Sequence, residues 1–145
     1  MIAIGSDHGG YELKEHVKKH LVENGVEVKD FGTFSEASVD YPDCAKPVCE
    51  AVINGEAERG ILLCGTGIGI SIAANKYKGI RAALCSDVYS AMMAKQHNNA
   101  NILCLGGRVT GRELAFMIVD TWLKTEFEGG RHADRIKKIH DIENN

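Results

Sequence analysis

The sequence predicts an α/β fold: one doubly wound domain on a five-stranded parallel sheet, with a helical tail at its C-terminus. Three observations predict it. Apolar bursts alternate with amphipathic segments along the whole chain, and each change is marked by glycine or a polar turn. Short runs such as "ILLC" and "AALC" are apolar throughout, as strands buried on both sheet faces are. The chain has 145 residues, 44% of them hydrophobic and 26% charged, enough for one compact domain whose core needs no disulfides.

The elements follow in order. "IAIG" is a buried strand. In "YELKEHVKKHLVENG", Leu13, Val17 and Leu21 recur at helical spacing and Gly25 is a stop signal. "VEVKDFG" alternates like a more exposed strand. After a polar loop, the spacing predicts a second helix over Pro42 to Asn54. "GILLC" is a short buried strand, followed by a helix from about Ile68 to Lys76. "IRAALCS" is a further strand, and "DVYSAMMAKQHN" a helix with Asp87 as N-cap. "ANILCLGG" is the fifth strand, and Thr110 is placed to cap a long helix reaching about Phe127. Beyond Glu128-Gly129-Gly130, "RHADRIKKIHDIENN" is an amphipathic helix over about 131–143, carrying Ile136, Ile139 and Ile142. Those isoleucines need burial, and a neighbouring subunit is one place for it. No linker divides the chain, so 1–145 is read as a single domain.

Composition excludes several classes of function. A net charge of −3 gives no general attraction for nucleic acid. No apolar run approaches the ~20 residues that span a bilayer, and "MIAIGSDHGG" lacks the pattern of a signal peptide, so a cytoplasmic protein is expected. The 5 cysteines form no CxxC pair, which favours reduced thiols over a disulfide or metal framework. No metal and no cofactor is expected.

Right-handed crossovers leave few arrangements of five parallel strands, and 2-1-3-4-5 is the most economical order. The winding then reverses between strands 1 and 3 and opens a crevice at their carboxyl ends. The two most glycine-rich loops, "SDHGG" and "CGTGIG", flank that crevice.

The Gly65–Gly69 loop opens a helix, so its free N–H groups suit an anion. It is not a dinucleotide fingerprint, because GxGxG is not GxGxxG and follows the third strand; nor does it carry the Lys-Ser/Thr of a P-loop. A tight turn that needs glycine for packing uses the same residues, but an anion or oxyanion site fits them better. Cys64 ends its strand facing the helix start, which favours thiolate. It is read either as a buried small hydrophobe or as a nucleophile or proton-abstracting base. Cys44, Cys49, Cys85 and Cys104 are read as core.

Of the 6 histidines, His16, His20 and His140 sit in charged helical stretches and are expected to be solvated. His8 lies at the crevice beside Asp7. His97, in "KQHNN", is either functional or a C-cap, and Asn98 and Asn99 serve equally well as helix stops. Arg131 and Arg135 are four apart and share a helix face, which is either a solvated surface or a bidentate phosphate site. Arg108 lies just beyond strand 5, at the ligand end of the sheet.

Taken together, "SDHGG", "VDYPD" (39–43), "CGTGIG", "KQHNN", "GGR" and "RHADR" resemble, in order and spacing, the ribose-5-phosphate isomerase B family, which also includes allose- and galactose-6-phosphate isomerases. The resemblance covers essentially the whole chain. It implies a Rossmann-like fold and an intramolecular oxidoreductase of carbohydrate metabolism. Such an enzyme interconverts D-ribose 5-phosphate and D-ribulose 5-phosphate in the pentose phosphate pathway, without metal, through a cis-enediolate. It also implies roles for residues: Cys64 as base, Thr66 as hydroxyl proton shuttle, and the amides from Gly65 through Gly67 and Ile68 to Gly69 as anion hole. His97 would be the ring-opening acid and Asn98 a sugar contact. Asp7 and His8 would hold hydroxyls or phosphate, Tyr41 would border the pocket, Arg131 and Arg135 would clamp the phosphate, and Arg108 would add a ligand contact. Some of these residues would come from the partner chain of a homodimer, or of a tetramer. Members that lack the cysteine carry glutamate at the position of Ile70; with Cys64 and Ile70, this chain resembles the cysteine type. Two other readings stand beside this one: a six-carbon sugar-phosphate isomerase of the allose 6-phosphate type, and a non-catalytic sugar-phosphate-binding module.

Overall fold

Three strands that are apolar or small throughout, apart from Arg59 at the start of one, take the centre of a parallel sheet: β1 (Ile2–Ser6), β3 (Arg59–Cys64) and β5 (Ile102–Gly106). Two strands of three residues each, β2 (Val28–Asp30) and β4 (Ala82–Leu84), form its edges. The computed structural model describes residues 1–145 and adds helices α1 (Tyr11–Glu23), α2 (Tyr41–Ile53), α3 (Ile68–Ala74), α4 (Val88–Gln96), α5 (Arg112–Lys124) and α6 (Arg131–Glu143).

The α/β doubly wound class is as expected, but the strand order is not: the sheet runs β2-β1-β3-β5-β4 instead of 2-1-3-4-5. Burial explains the exchange. All five positions of β5 are buried, whereas β4 has none that is fully buried. The long apolar strand gains most from neighbours on both sides, and a very short strand makes a safe edge. The new order has a consequence for the site. The chain leaves β1 and β5 for helices on one face of the sheet and leaves β3 for a helix on the other. The loop after β3 is therefore flanked by divergent loops on both sides.

Helices α1, α4 and α5 cover one face, where Leu13, Val17, Leu21 and Trp122 pack on Ile4, Ile61, Leu63 and Leu105. Helices α2 and α3 cover the other, where Val48, Cys49, Ile70 and Ala74 pack on Ala3, Leu62, Cys64 and Cys104. The alternation along β3 therefore directs Cys64 towards α2 and α3. A buried ion pair at the β2 edge was not legible in the sequence. Lys14, with no exposed side-chain surface, donates to both Asp30 oxygens at 2.7 Å and to the Thr33 carbonyl at 2.7 Å. Burial alone would raise the Asp30 pKa; the hydrogen bonds from Lys14, Lys18 and the Gly32 amide outweigh it and hold the carboxyl below its usual value. This pair fastens the loop that leads into Tyr41.

Local boundaries correct three expectations. Thr110 does not cap α5: Gly111 holds the N-cap position, because Thr110 N–H is drawn back to the Gly106 carbonyl and its hydroxyl is buried without a partner. Helix α5 also ends at Lys124, not near Phe127. His20 is not simply solvated, since it bonds Asp120 at 2.9 Å and stacks on Phe116. Asp87 does cap α4, accepting from Ser90 N–H at 2.7 Å. The tail turns at Gly129 and Gly130, both at positive φ, and α6 returns to its own chain. Ile136 is buried there, so it needs no neighbour, while Ile139 and Ile142 remain exposed. No helix is long and apolar enough to cross a membrane.

Candidate active site

The carboxyl end of β3 is held from both sides. Asp7 N–H donates to the Leu63 carbonyl at 3.1 Å, Gly107 N–H to that of Cys64 at 2.8 Å, and Arg108 N–H to that of Gly65 at 2.9 Å. These contacts demand small residues. A Cβ on Gly107 would lie 2.6 Å from the Gly9 carbonyl oxygen, and one on Gly106 would lie 2.6 Å from that of Thr66. The glycines of three loops thus let three backbones meet around one thiol.

Cys64 is 5% exposed, whereas Thr66 and Ile68 in the same loop are exposed. Its Sγ accepts the Gly67 N–H at 3.1 Å, and the Thr66 hydroxyl accepts the Ile68 N–H at 3.1 Å. Gly67 sits at φ +78°, which permits the turn into α3. The N–H groups of Gly69 and Ile70, in the first turn of that helix, donate to no backbone carbonyl. Burial pushes Cys49 up to about 12 and Cys85 up to about 11, and it raises Cys44 and Cys104 as well. They are protonated core thiols, with Cys85 lying just past β4 and not within a strand.

Around this loop the structure gathers Asp7, His8, Tyr41 and Arg108. The Asp7 carboxylate folds back to accept Gly9 and Gly10 N–H at 2.9 and 3.1 Å, which fixes the turn after β1. His8 Nδ1 accepts the Val39 N–H at 3.2 Å, so in the neutral ring Nε2 carries the proton. The Tyr41 ring lies over Gly69, where an added Cβ would come within 2.8 Å of it. Arg108 lies along Gly65, where an added Cβ would be 3.2 Å from Nη1. Beside the loop is a cavity of ≈ 230 Å³ lined by Thr66, Ile68, Leu84, Cys85, Val109 and neighbours.

His97, Asn98, Arg131 and Arg135 are not in this group. Helix α4 runs back along the sheet, and His97 closes it near the amino end of β5. Cys64 pairs with Gly106 at the other end of that strand; four steps of about 3.3 Å each separate the two ends of the strand by roughly 13 Å. A helix between parallel strands returns to their amino end, so a residue that closes α4 lies away from the loops at the carboxyl ends. At the second group, Arg131 and Arg135 are exposed on α6. Asn99, at φ +46°, is held by Lys95 Nζ at 2.6 Å and Arg81 Nε at 3.0 Å, fixing the turn that carries His97 and Asn98. Burial, then Arg59 and Arg81, lower Lys95 to about 8.

Sequence reasoning missed two members of this group. The His132 ring is buried and stacks on His97, centroid to centroid 4.2 Å. Partial desolvation and the nearby His97 lower its pKa, against the pull of Glu128. Glu128 faces both rings. The spacing Glu128-x-x-x-His132 was the available signal, obscured because Glu128 precedes the helix.

A family profile described as Ribose/Galactose Isomerase matches residues 2–139. Ribose-5-phosphate isomerase B of Escherichia coli (strain K12) is 56% identical over 142 residues, 98% of this chain and 95% of that protein. Among solved structures, ribose-5-phosphate isomerase B of Clostridium thermocellum superposes with a TM-score of 0.98 at 61% identity, covering 99% of this chain and 97% of that one. Ribose-5-phosphate isomerase B from Mycoplasma genitalium with bound ribulose-5-phosphate superposes with a TM-score of 0.94 at 45% identity, covering 99% and 96%.

Proposed function

The chain belongs to the ribose/galactose isomerase family, and from that premise we propose how its residues divide the work of isomerising a sugar phosphate. The enzyme interconverts D-ribose 5-phosphate and D-ribulose 5-phosphate. The observation that carries the assignment of the base is the placement of Cys64: a thiol at a strand end, bonded to a loop amide and ringed by backbone.

In the forward direction His97 protonates the ring oxygen while the anomeric hydroxyl gives up its proton to solvent, and the furanose opens to the aldehyde. Cys64 then removes the proton on C2, and the electron pair moves towards the C1 carbonyl oxygen to give the cis-enediolate. Amides of the Gly65–Gly69 loop hold that oxygen; donors placed before charge appears stabilise the transition state more than the substrate. Thr66 moves the proton between the two oxygens, and Cys64 returns a proton to C1, leaving the ketone at C2. Asp7, His8 and Tyr41 bind the sugar beside the loop, and Arg108 adds a further contact.

One chain alone cannot perform this sequence, because His97, Asn98, Arg131 and Arg135 lie at the far end of the sheet. A second copy supplies them in a homodimer. In support, Ile68, Ile72, Leu84, Tyr89 and Val109 are exposed large apolar side chains, and three of them line the cavity beside the loop. Exposed apolar area of that kind marks an interaction surface. Covering it with a second chain would also close the site to water.

Isomerase assays on phosphorylated pentoses and hexoses test the reading. Turnover is expected to favour ribose 5-phosphate; allose 6-phosphate turned over faster would overturn the five-carbon assignment. Arg135→Ala is expected to raise KM for ribose 5-phosphate by about 10–100-fold, the loss of one hydrogen bond to a charged group at about 1.5–3 kcal/mol. An unchanged KM would remove the arginine pair from the phosphate site.

A further inference from the structure

His97, Glu128 and His132 converge where α4 ends and α6 begins. His97 Nε2 is 3.8 Å from one Glu128 carboxylate oxygen, and His132 Nε2 is 3.9 Å from the other. The three ligand atoms all lie within 4.8 Å of one another. His132 Nε2 is buried with no hydrogen-bond partner, and its side chain is 7% exposed. Buried polar atoms almost always find a partner, so an orphaned ring nitrogen aimed at a carboxylate and a second imidazole needs an explanation.

Two imidazole nitrogens and a carboxylate oxygen are a donor set suited to zinc and its neighbours in the first transition row. Around a tetrahedral ion with bonds of about 2.1 Å, ligand atoms stand roughly 3.4 Å apart. The two nitrogen–oxygen separations here exceed that by about half an ångström, a difference that small side-chain rotations close. His132 is fixed by burial, whereas His97 is 37% exposed and free to adjust. The rings lie nearly parallel, 9° apart, so His97 is the one that turns to direct its lone pair. Glu128 is already held in place through Gln96, whose Nε2 donates to its carboxylate at 2.9 Å and whose carbonyl accepts its N–H at 3.0 Å. Arg131 and Arg135 lie on the same helix and oppose a cation; the Glu128 carboxylate offsets part of that charge.

We propose that His97, Glu128 and His132 bind a single divalent transition-metal ion, such as Zn2+, and that the bound ion inhibits the isomerase by occupying the nitrogen of His97. The ion is an inhibitor and not a cofactor. The second half of this inference rests on the role given to His97 in the reaction; the first half does not.

The test uses the full chain carrying Cys64→Ala, so that the partner's thiol, which shares the site with His97 in the dimer, cannot compete. Zn2+ binding is followed by calorimetry and Co2+ binding by visible absorption. One ion per chain is expected, with Co2+ ligand-field bands and no thiolate charge-transfer band. Glu128→Gln and His132→Gln should each weaken binding by more than the roughly 10–100-fold that loss of a supporting outer contact costs. His132 is buried and its variant can fail to fold; Glu128 is exposed, so its variant keeps the test decisive. No saturable binding, a thiolate band, or unchanged affinity in Glu128→Gln would overturn the site. In the chain with Cys64 intact, Zn2+ should abolish turnover and a chelator should restore it. Binding as predicted with turnover untouched would overturn the inhibition and the acid role of His97, and would leave the metal site standing.

Discussion

Cys64→Ala is expected to lower turnover of ribose 5-phosphate by about 10³-fold or more, near the upper end of what a positioned acid or base contributes, while the protein stays folded. The substitution deletes one sulfur atom from a site that is 5% exposed. It leaves the Gly67 N–H without its acceptor, a loss of about 1 kcal/mol. The bonds that fix the strand end do not involve the side chain: Gly107 and Arg108 donate to backbone carbonyls of Cys64 and Gly65. Stability should therefore fall little and the unfolding transition stay cooperative. Single-turnover kinetics and thermal unfolding check both halves. Turnover within tenfold of the unmodified enzyme would show that another group moves the carbon-bound proton.

Gly67→Ala is expected to lower kcat by about 10²–10³-fold, the effect of displacing one oxyanion donor, although it removes no reactive atom. A Cβ at this position would lie 2.5 Å from Leu84 Cδ1, 2.9 Å from the Leu105 carbonyl carbon and 3.0 Å from its oxygen. The Leu84 side chain can turn away. The backbone of Leu105, in the centre of the sheet, cannot, so the loop must lift. Lifting it breaks the Gly67 N–H contact with Sγ and moves the neighbouring amides away from the enediolate oxygen. The positive φ adds about 1–2 kcal/mol of backbone strain for any residue with a Cβ. Gly79→Ala separates the two effects: Gly79 is at φ +88° but has nothing within 4 Å of its added Cβ. It should show the strain in its melting temperature and keep its kcat. A Gly67→Ala enzyme as active as Gly79→Ala would mean that the loop amides are not set by this packing.

The alternating pattern of apolar and amphipathic segments was enough for the fold class, and the loops after β1 and β3 were correctly placed beside one another. The exchange of β4 and β5 was not legible, because "AALC" and "ILCLG" are equally apolar; their difference lies in length and in the neighbours each can cover. That exchange matters for function, since it sets Gly106 and Arg108 directly beside the Cys64 loop. The division of the site follows from the topology and not from the motifs. "KQHNN" and "RHADR" look like active-site motifs in one dimension, and only the antiparallel return of α4 shows that His97 lies at the wrong end of its own sheet. His132 was not singled out because its one local signal, Glu128 four positions before it, does not mark a histidine that will stack on another thirty-five positions away. Lys14 was equally invisible: a lysine among other charges on α1, buried because Asp30 and the Thr33 carbonyl receive it.

The central claim is that Cys64 and His97 of different chains serve one reaction. It is tested most directly by mixing two inactive variants, Cys64→Ala and His97→Asn, under conditions that exchange subunits. In a symmetric dimer each mixed pair holds one site with both substitutions and one with neither, so random exchange should restore about one quarter of unmodified activity. Activity that stays at the level of the separate variants, with mixed dimers shown to form, would contradict the account and place both residues in a site made by one chain.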